Sequence, residues 1–514
     1  MTKRIRLLKD SLCASVVKGH GFSRAVKPLS FAIPSGLQPA RDLLSRLFRH
    51  SPGSYVAILL ALSLTACKVG PNYKRPATTV PDQYRGIAPS ASSQAPAQPI
   101  ADTPWASVYQ DEVLQGLIKE ALTNNYDIRI AATRVLQANA NLGITRSYQF
   151  PMVNGSGSVV NQRDQLTNLG TDKSPTYDSL ALSLSYIVDF WGQYRRATES
   201  ARASLLASQY AQEVVRVTLI DSVATDYFLL RQYDDQLEFS KKSVDADTEI
   251  LKLNQIKFKG GESAITDVYQ AQTLLQQAEA QVISTEQFIE QTENNISILL
   301  GRNPGPIARG LTIQQQPHLP DVPTGLPSAL LERRPDVRVS EENLVAANAN
   351  VGVAKANFFP QISLTGTFGA QSTALTSFLL GPATFWAVGG QALQPIYQGG
   401  RIRSQYRLAW AQRDEAELTY KQTVNQAFGE VSNSLVGYNQ SRLYRMKIQQ
   451  QTDTYKQMAD LANVRFQGGV TSFLEVQYYE QQYFLSALSL SQAWYAELQN
   501  YAALYQALGG GWQP

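Results

Sequence analysis

The stretch Ala138-Asn139-Ala140-Asn141-Leu142-Gly143 returns as Ala347-Asn348-Ala349-Asn350-Val351-Gly352, and Pro151 behind the first copy is answered by Pro360 behind the second. Two further blocks keep nearly the same spacing. Phe258-Lys259-Gly260-Gly261 through Asp267-Val268 comes back as Phe466-Gln467-Gly468-Gly469 through Glu475-Val476, and Leu300-Gly301 as Leu508-Gly509. Offsets of 209, 208 and 208 residues are far longer than a solenoid unit of roughly 20 to 50 residues. The chain is therefore a duplicated half-molecule with an internal two-fold repeat, which implies a pseudo-symmetric object that closes around something.

Outward from these blocks lie helices of unusual length. Between Gly192 and Gly260 run 67 residues without glycine or proline, apolar at Leu206, Tyr210, Val214, Val217, Ile220, Ala224 and Tyr227, the three-and-four spacing of an amphipathic helix. At about 1.5 Å per residue it is about 100 Å long, whereas helices of ordinary cores average about three turns. The returning segment, Ala264 to Leu300, is about 55 Å long by the same rise. A run holding Pro304, Pro306, Pro317, Pro320, Pro323, Pro327 and Pro335 follows, then helix from about Asp336 to Phe358. Stacked end to end, the two shorter helices match the long one, with the Pro-rich girdle at their junction. The second half repeats the plan with Arg401 to Phe466 against Thr471 to Leu508, and the first half begins with one helix from Asp111 to Gln149.

Four segments alternate instead. Leu180, Leu182, Leu184, Tyr186 and Val188 point one way and Ser179, Ala181, Ser183 and Ser185 the other, a period of two. Ile362, Leu364 and Phe368 oppose Ser363, Thr365 and Thr367 in the same manner, with weaker partners at Met152 to Val160 and Thr384 to Leu393. Each half supplies one hairpin, at about 151–190 and about 361–396. Apolar-out and Ser/Thr/Gly-in over about ten residues is what a membrane barrel wall requires, the plainer alternative being a half-buried sheet on a soluble core. Four strands cannot close, because a single-layer barrel needs about eight, and an open edge in hydrocarbon is not allowed. The chain must oligomerise to reach roughly 8, 12 or 16 strands.

Composition removes most enzymes. Residues 1–66 hold ten Lys/Arg against Asp10 and Asp42, so the formal charge of +4 belongs to that leader and the remainder is acidic. Nucleic acid needs a clustered basic face, which is missing here. His318, between Pro317 and Pro320, is the only histidine of the body and reads as a solvated loop residue; the cysteines are Cys13 and Cys67. Metal clusters, Cys/His dyads and Ser-His-Asp triads lack their residues, and no Gly-rich phosphate loop opens a helix after a strand.

The leader has the three parts of a secretory signal: basic Arg46-Leu47-Phe48-Arg49-His50, an apolar run from Tyr55 to Leu64, and small residues at the cut. The apolar run is too short to span a bilayer. Cys67 directly after Leu64-Thr65-Ala66 matches the bacterial lipoprotein box, so N-palmitoyl and S-diacylglycerol chains are expected on Cys67, and no other cofactor or metal. Lys68, not aspartate, follows, which implies sorting to the outer membrane. Residues 1–50 read as a start assigned too early, the true one lying at a codon such as Leu43 or Leu47. From Lys68 to about Pro104 the chain is rich in Pro, Ala and Ser and reads as an extended tether with little to pack.

Taken together, these residues resemble the TolC-like outer-membrane efflux channels, specifically their lipoprotein (NodT) branch. The resemblance covers about 67–510 and rests on Leu64-Thr65-Ala66-Cys67 with Val69-Gly70-Pro71-Asn72-Tyr73, the paired Ala-Asn-Ala-Asn blocks, Asp189-Phe190-Trp191-Gly192, Pro395-Ile396-Tyr397-Gln398-Gly399-Gly400-Arg401, and the two Phe-x-Gly-Gly turns. It implies an α+β membrane protein: a homotrimer whose twelve strands, four per chain, form one outer-membrane β-barrel continued by a periplasmic α-helical barrel. It further implies a passive duct of a tripartite efflux system, docked to a periplasmic adaptor protein and an inner-membrane pump, usually of the proton-driven RND type, with no chemistry of its own. The alternative is a non-porous, periplasm-spanning structural lipoprotein. The organisation expected is 1–66 leader and signal, 67–104 lipidated tether, 105–310 first repeat, 311–335 Pro-rich equatorial linker and 336–510 second repeat. The resemblance places the two Phe-x-Gly-Gly turns at the periplasmic tip, where the family closes its tunnel with acidic and apolar rings. Ile265-Thr266-Asp267 and Phe473-Leu474-Glu475 fall on the matching positions, so Thr266, Asp267, Leu474 and Glu475 are the gate candidates. A narrow acidic ring would favour cations. Tyr478 stands where related channels carry an aspartate, and the helix dipole alone also accounts for acids at these N-termini. Gly260, Gly261, Gly468 and Gly469 are candidates for adaptor contact, though a tight turn explains them as well.

Overall fold

The chain divides into the units Met1–Ala66 and Cys67–Pro514, and the computed structural model describes residues 68–81, 85, 100–161, 176–317, 330–372 and 383–511, all within the second unit. Cys67, His318 and Pro320 to Pro327 lie outside the described residues. The elements are α1 (Trp105–Val108), α2 (Glu112–Asn124), α3 (Tyr126–Ser147), β1 (Met152–Asn161), β2 (Thr176–Val188), α4 (Gln193–Lys259), α5 (Ile265–Leu299), α6 (Leu330–Arg333), α7 (Pro335–Ala356), β3 (Gln361–Ser372), β4 (Thr384–Leu393), α8 (Arg401–Gln467) and α9 (Phe473–Ala507). Lengths recur between the halves: 67 residues in α4 and α8, 35 in α5 and α9, 22 in α3 and α7.

The ends of these helices are written in the sequence. Gly192 and Gly400 stand at the N-caps of α4 and α8 in the left-handed region, at φ 77° and 83°. At the far ends, Gly261 N–H bonds to the Phe258 carbonyl and Glu262 N–H to that of Lys257; Gly469 and Val470 do the same to Phe466 and Arg465. This is the Schellman closure, which needs a residue at positive φ. Pro335 opens α7 at its first turn, where no amide donor is needed.

The expected single helix from Asp111 to Gln149 is instead two. Asn125 interrupts it at φ −56° and ψ 135°, its side chain accepting from the amides of Asp127 and Ile128 and so starting a new helix. An Asn at a cap competes with helical continuation for the same amides.

Along its length α4 packs against α3, α5, α7 and α9, and α8 packs against α7 and α9. The main apolar core lies midway along the long helices: Leu114 and Ile118 of α2, Val223 and Tyr227 of α4, Ile296 of α5, Val337 of α7, Tyr420 and Val424 of α8 and Leu504 of α9 are all buried. Burying each such side chain is worth about 1.5–3 kcal/mol. Within this core Asp111 caps α2 and accepts from Tyr227 Oη at 2.9 Å, Leu311 N at 2.9 Å and Gln316 Nε2 at 2.8 Å, tying the α5–α6 connection to α2 and α4.

The four strands form one antiparallel sheet in the order β1-β2-β3-β4. Its register sets Val153, Gly155 and Gly157 beside Leu184, Leu182 and Leu180, then Gly366, Phe368 and Ala370, then Val388, Trp386 and Thr384, on one face. The other face carries Asn154, Ser156 and Ser158, then Ser183, Ala181 and Ser179, then Thr367, Gly369 and Gln371. At the base of the sheet Trp191 joins the halves, stacking on Phe359 with centroids 4.6 Å apart and donating 2.8 Å to the Pro360 carbonyl.

The tether departs from its expectation. Over 68–81 it is pinned, not loosely laid. Val69 N–H bonds to the Trp191 carbonyl at 3.1 Å, buried Arg196 donates to the carbonyls of Val69 and Gly70 and, at 2.8 Å, to Asn72 Oδ1, and Asn348 donates to the Pro71 carbonyl. Arg75 grips Glu341 with two bonds of 2.7 Å. Gly70, at φ 103°, lies so near α7 that a Cβ there would sit 2.4 Å from the Gly352 Cα. Low-hydropathy composition concealed this because the anchors are polar, backbone carbonyls held by Arg196 and Asn348 and the Arg75–Glu341 pair.

Candidate functional site

The sheet and the helical tips both present open surface in the single chain. On the sheet, the apolar face is fully open, Trp386 and Val388 being 75% and 80% exposed. The hydroxyl face is half-exposed at Ser179, Ser183 and Thr367, with Ser158 and Ser179 hydrogen-bonded across strands at 2.7 Å. Among the described residues β1 and β4 pair on one edge only. Apolar residues in water are costly at about 25 cal/mol per Å², and an unpaired edge invites another strand. Such a sheet fits a setting with lipid on one side and water on the other, its edges completed by further copies. No described helix is long and apolar enough to cross a membrane.

At the other end, the α4–α5 and α8–α9 turns lie side by side. Phe473 is buried with Ala271, Ala462 and Val476, and its ring meets that of Phe466 at 5.5 Å. The Lys257 ammonium sits 3.8 Å over the Phe466 ring, a cation–π contact between the two repeats. Around this plug Ile265, Tyr269, Val470, Leu474 and Tyr478 form a belt of exposed apolar side chains.

The gate candidates are not equivalent. Thr266 and Leu474 are exposed. Asp267, in the first turn of α5, makes no hydrogen bond or ion pair through its carboxylate among the described residues, its amide bonding to the Ala264 carbonyl. Glu475, its counterpart, is turned back into its own loop, accepting from Arg465 Nη1 at 3.0 Å and from the Thr471 hydroxyl. Of the four tip glycines only Gly261 and Gly469 need glycine, at φ 77° and 70°; Gly260 and Gly468 stand at φ −78°. Sequence reasoning missed Arg465 and Lys257. The repeat pointed to each Phe-x-Gly-Gly loop separately, and nothing local shows that Lys257 reaches the other loop's phenylalanine.

The comparisons with known proteins agree with this geometry. Residues 117–302 and 326–510 each match the family model described as outer membrane efflux protein. The two matched stretches start 209 residues apart and end 208 apart, the offsets of the sequence blocks. The solvent efflux pump outer membrane protein SrpC of Pseudomonas putida is 33% identical over 460 residues, covering 88% of this chain and 97% of that one. The cation efflux system protein CusC of Escherichia coli is 31% identical over 470 residues, covering 90% and 100%. Among solved structures, the Campylobacter jejuni CmeC outer membrane channel superposes with a TM-score of 0.80 at 26% identity, covering 87% of this chain and 95% of that one. The chain belongs to the outer membrane efflux protein family.

Proposed function

We propose that this protein is the outer-membrane duct of a tripartite efflux system, a passive path for small molecules across the periplasm and outer membrane. The observation that carries the proposal is the four-stranded sheet with one apolar and one hydroxyl-lined face and two open edges, mounted on paired helices of 67 residues, about 100 Å each. Three copies bring twelve strands, enough for a closed barrel with a wet interior. The exposed side of α3, with Tyr126, Ile130, Leu136 and Ile144 open in the single chain, supports the same assembly, since a neighbouring copy would cover it.

Relatives are named for solvent and for cation efflux, and a water-filled duct selects its cargo by size and charge alone. The energy comes from an inner-membrane pump, of the RND type, reached through an adaptor. The belt of Ile265, Tyr269, Val470, Leu474 and Tyr478 supports docking or closure at the tip, with Asp267 the better placed of the two acids to face an axis because Glu475 is already engaged. Lipidation at Cys67 is supported by the tether, whose Val69 is bonded to the Trp191 carbonyl just beyond the end of β2, at the base of the sheet where headgroups would lie. Two or more acyl chains give firm anchoring.

Single-channel recording of the purified protein in a planar bilayer tests the proposal. Discrete conductance steps are expected, larger once the tip is truncated; silence in both forms would point to the non-porous structural lipoprotein.

A further inference from the structure

Along the seam between α4 and α9 the contacts follow in order toward the tip. Ser491 donates to Asp235, Gln236 Nε2 donates 3.3 Å to the Leu488 carbonyl, and Phe239 meets Tyr483 and Phe484 with centroids 5.4 and 5.7 Å apart. Nearer the tip Ile250 and Leu251 pack on the cluster of Phe473 and Val476. Between these two zones the seam holds a cavity of about 330 Å³ into which two carboxylates are set, Asp247 from α4 and Glu480 from α9.

The charges around the cavity do not neutralise the pair. From α4, Lys242 is held by Glu238 at 2.6 Å; from α8 come Lys456 and Asp460; α5 contributes the uncharged Leu274, Gln277 and Ala278; α9 adds Tyr483. Glu480 accepts from Asn463 Nδ2 of α8. The Asp247 carboxylate makes no hydrogen bond or ion pair among the described residues. One repeat away, the corresponding positions are Tyr455 and Gln272, so the acid pair belongs to this seam and not to the duplicated plan.

We propose that Asp247 and Glu480 form a proton-operated clasp between the two helical hairpins: sharing a proton they let α4 and α9 close on one another, and doubly ionised they repel and loosen the seam toward the tip. Burial, and then the Glu480 charge, push the Asp247 carboxyl up to about 7, and burial together with Asp460 raises Glu480 against the opposing hydrogen bond from Asn463. The sign follows from linkage. The closed seam binds the proton more tightly than a solvated carboxylate of pKa about 3.9, so closure is fully favoured below that value. It weakens by about tenfold per pH unit as pH rises, and levels off above about 7. The clasp has a transport role only if the duct proposal above holds.

The test is a distance. Spin labels at exposed Glu249 of α4 and Tyr478 of α9, in full-length protein diluted into unlabelled chain in liposomes, are read at pH 5, 6, 7 and 8. The open population is expected to rise up to about 50-fold between pH 5 and 7 and by less than about twofold from 7 to 8. D247N is expected to remain closed and pH-insensitive, and E480Q gives the same test through the other partner should one variant assemble poorly. A wild-type distance that does not move, or one that moves equally in D247N and E480Q, overturns the clasp. Absence of channel current with the distance change intact would count against the duct alone.

Discussion

The side-chain amide of Asn125 donates 2.9 Å to the carbonyl of Leu299, closing the end of α5 while its oxygen caps the start of α3. One repeat later, Arg334 at the start of α7 donates 3.2 Å to the carbonyl of Ala507 at the end of α9. The duplicated halves thus solve the same junction, a helix end meeting a helix start, with different side chains. N125A should cost about 2 kcal/mol, about 1 from the cap and about 1 from the orphaned carbonyl. N125D keeps the cap oxygen but sets a second carboxylate oxygen against the Leu299 carbonyl, and should cost at least as much. Urea unfolding of the detergent-solubilised protein measures both.

Asp111 gives a pH-dependent prediction. Its burial would raise its pKa, but hydrogen bonds from Gln316, Tyr227, Leu311 and Leu114 prevail and hold the carboxyl below its usual range. A depressed acid contributes stability above the unfolded carboxylate pKa of about 3.9 and loses it as pH falls through the lower folded value. The melting temperature should therefore fall on acidification below about pH 4, and D111N should flatten part of that fall. D111A should lower stability by about 3 kcal/mol at neutral pH, since it removes charge-assisted bonds and leaves their donors unpaired.

The two sheet faces predict opposite tolerances. L182K places a charge on the apolar face and should cost about 2–4 kcal/mol if that face meets hydrocarbon at mid-depth, read as loss of folded, heat-modifiable protein in the outer membrane. S183K and T367D lie on the hydroxyl face, directly paired across β2 and β3. Both should fold and should shift the reversal potential in a salt gradient in opposite directions. Equal damage from L182K and S183K would contradict the assignment of faces.

At the tip, G261A and G469A force a Cβ into the left-handed region and should destabilise the turns by about 1–2 kcal/mol, visible as faster amide exchange over the ends of α4 and α8. G260A and G468A, at helical φ, should change exchange little. An efflux defect in G260A with normal exchange would instead identify a contact with another protein.

C67S should abolish lipid attachment. The mass of the mature wild-type chain should include the diacylglycerol and acyl additions on Cys67, and the variant should lack them.

Much of this fold was legible because its signals are local. An unbroken run between Gly192 and Gly260, alternation in 179–188, and glycines at helix ends are all consequences of backbone sterics and side-chain period, which neighbouring residues alone report. The break at Asn125 was missed because apolar periodicity continues through it; the cap bonds to Asp127 and Ile128 are local, and the bond to Leu299 that adds to them spans 174 residues. The gate candidates could be named as positions, but not the difference between them, because Arg465 and Glu475 become partners only when the turn is closed.

The opening motif shows where the sequence stops. By itself it determined that the chain is two copies of one helical and stranded plan, since 3.6- and 2-residue periods and their turns repeat at a constant offset. It could not say that the copies live in different surroundings. In the second copy Asn348 holds the Pro71 carbonyl and Gly352 admits the tether at Gly70, while Asn139 and Gly143 of the first stand open, with nothing within 4 Å of where a Gly143 Cβ would lie. Only the tertiary structure decided that, because α7 is packed between α4 and α8 whereas α3 rests chiefly on α4, and a side chain's partner is set by what the fold brings to it.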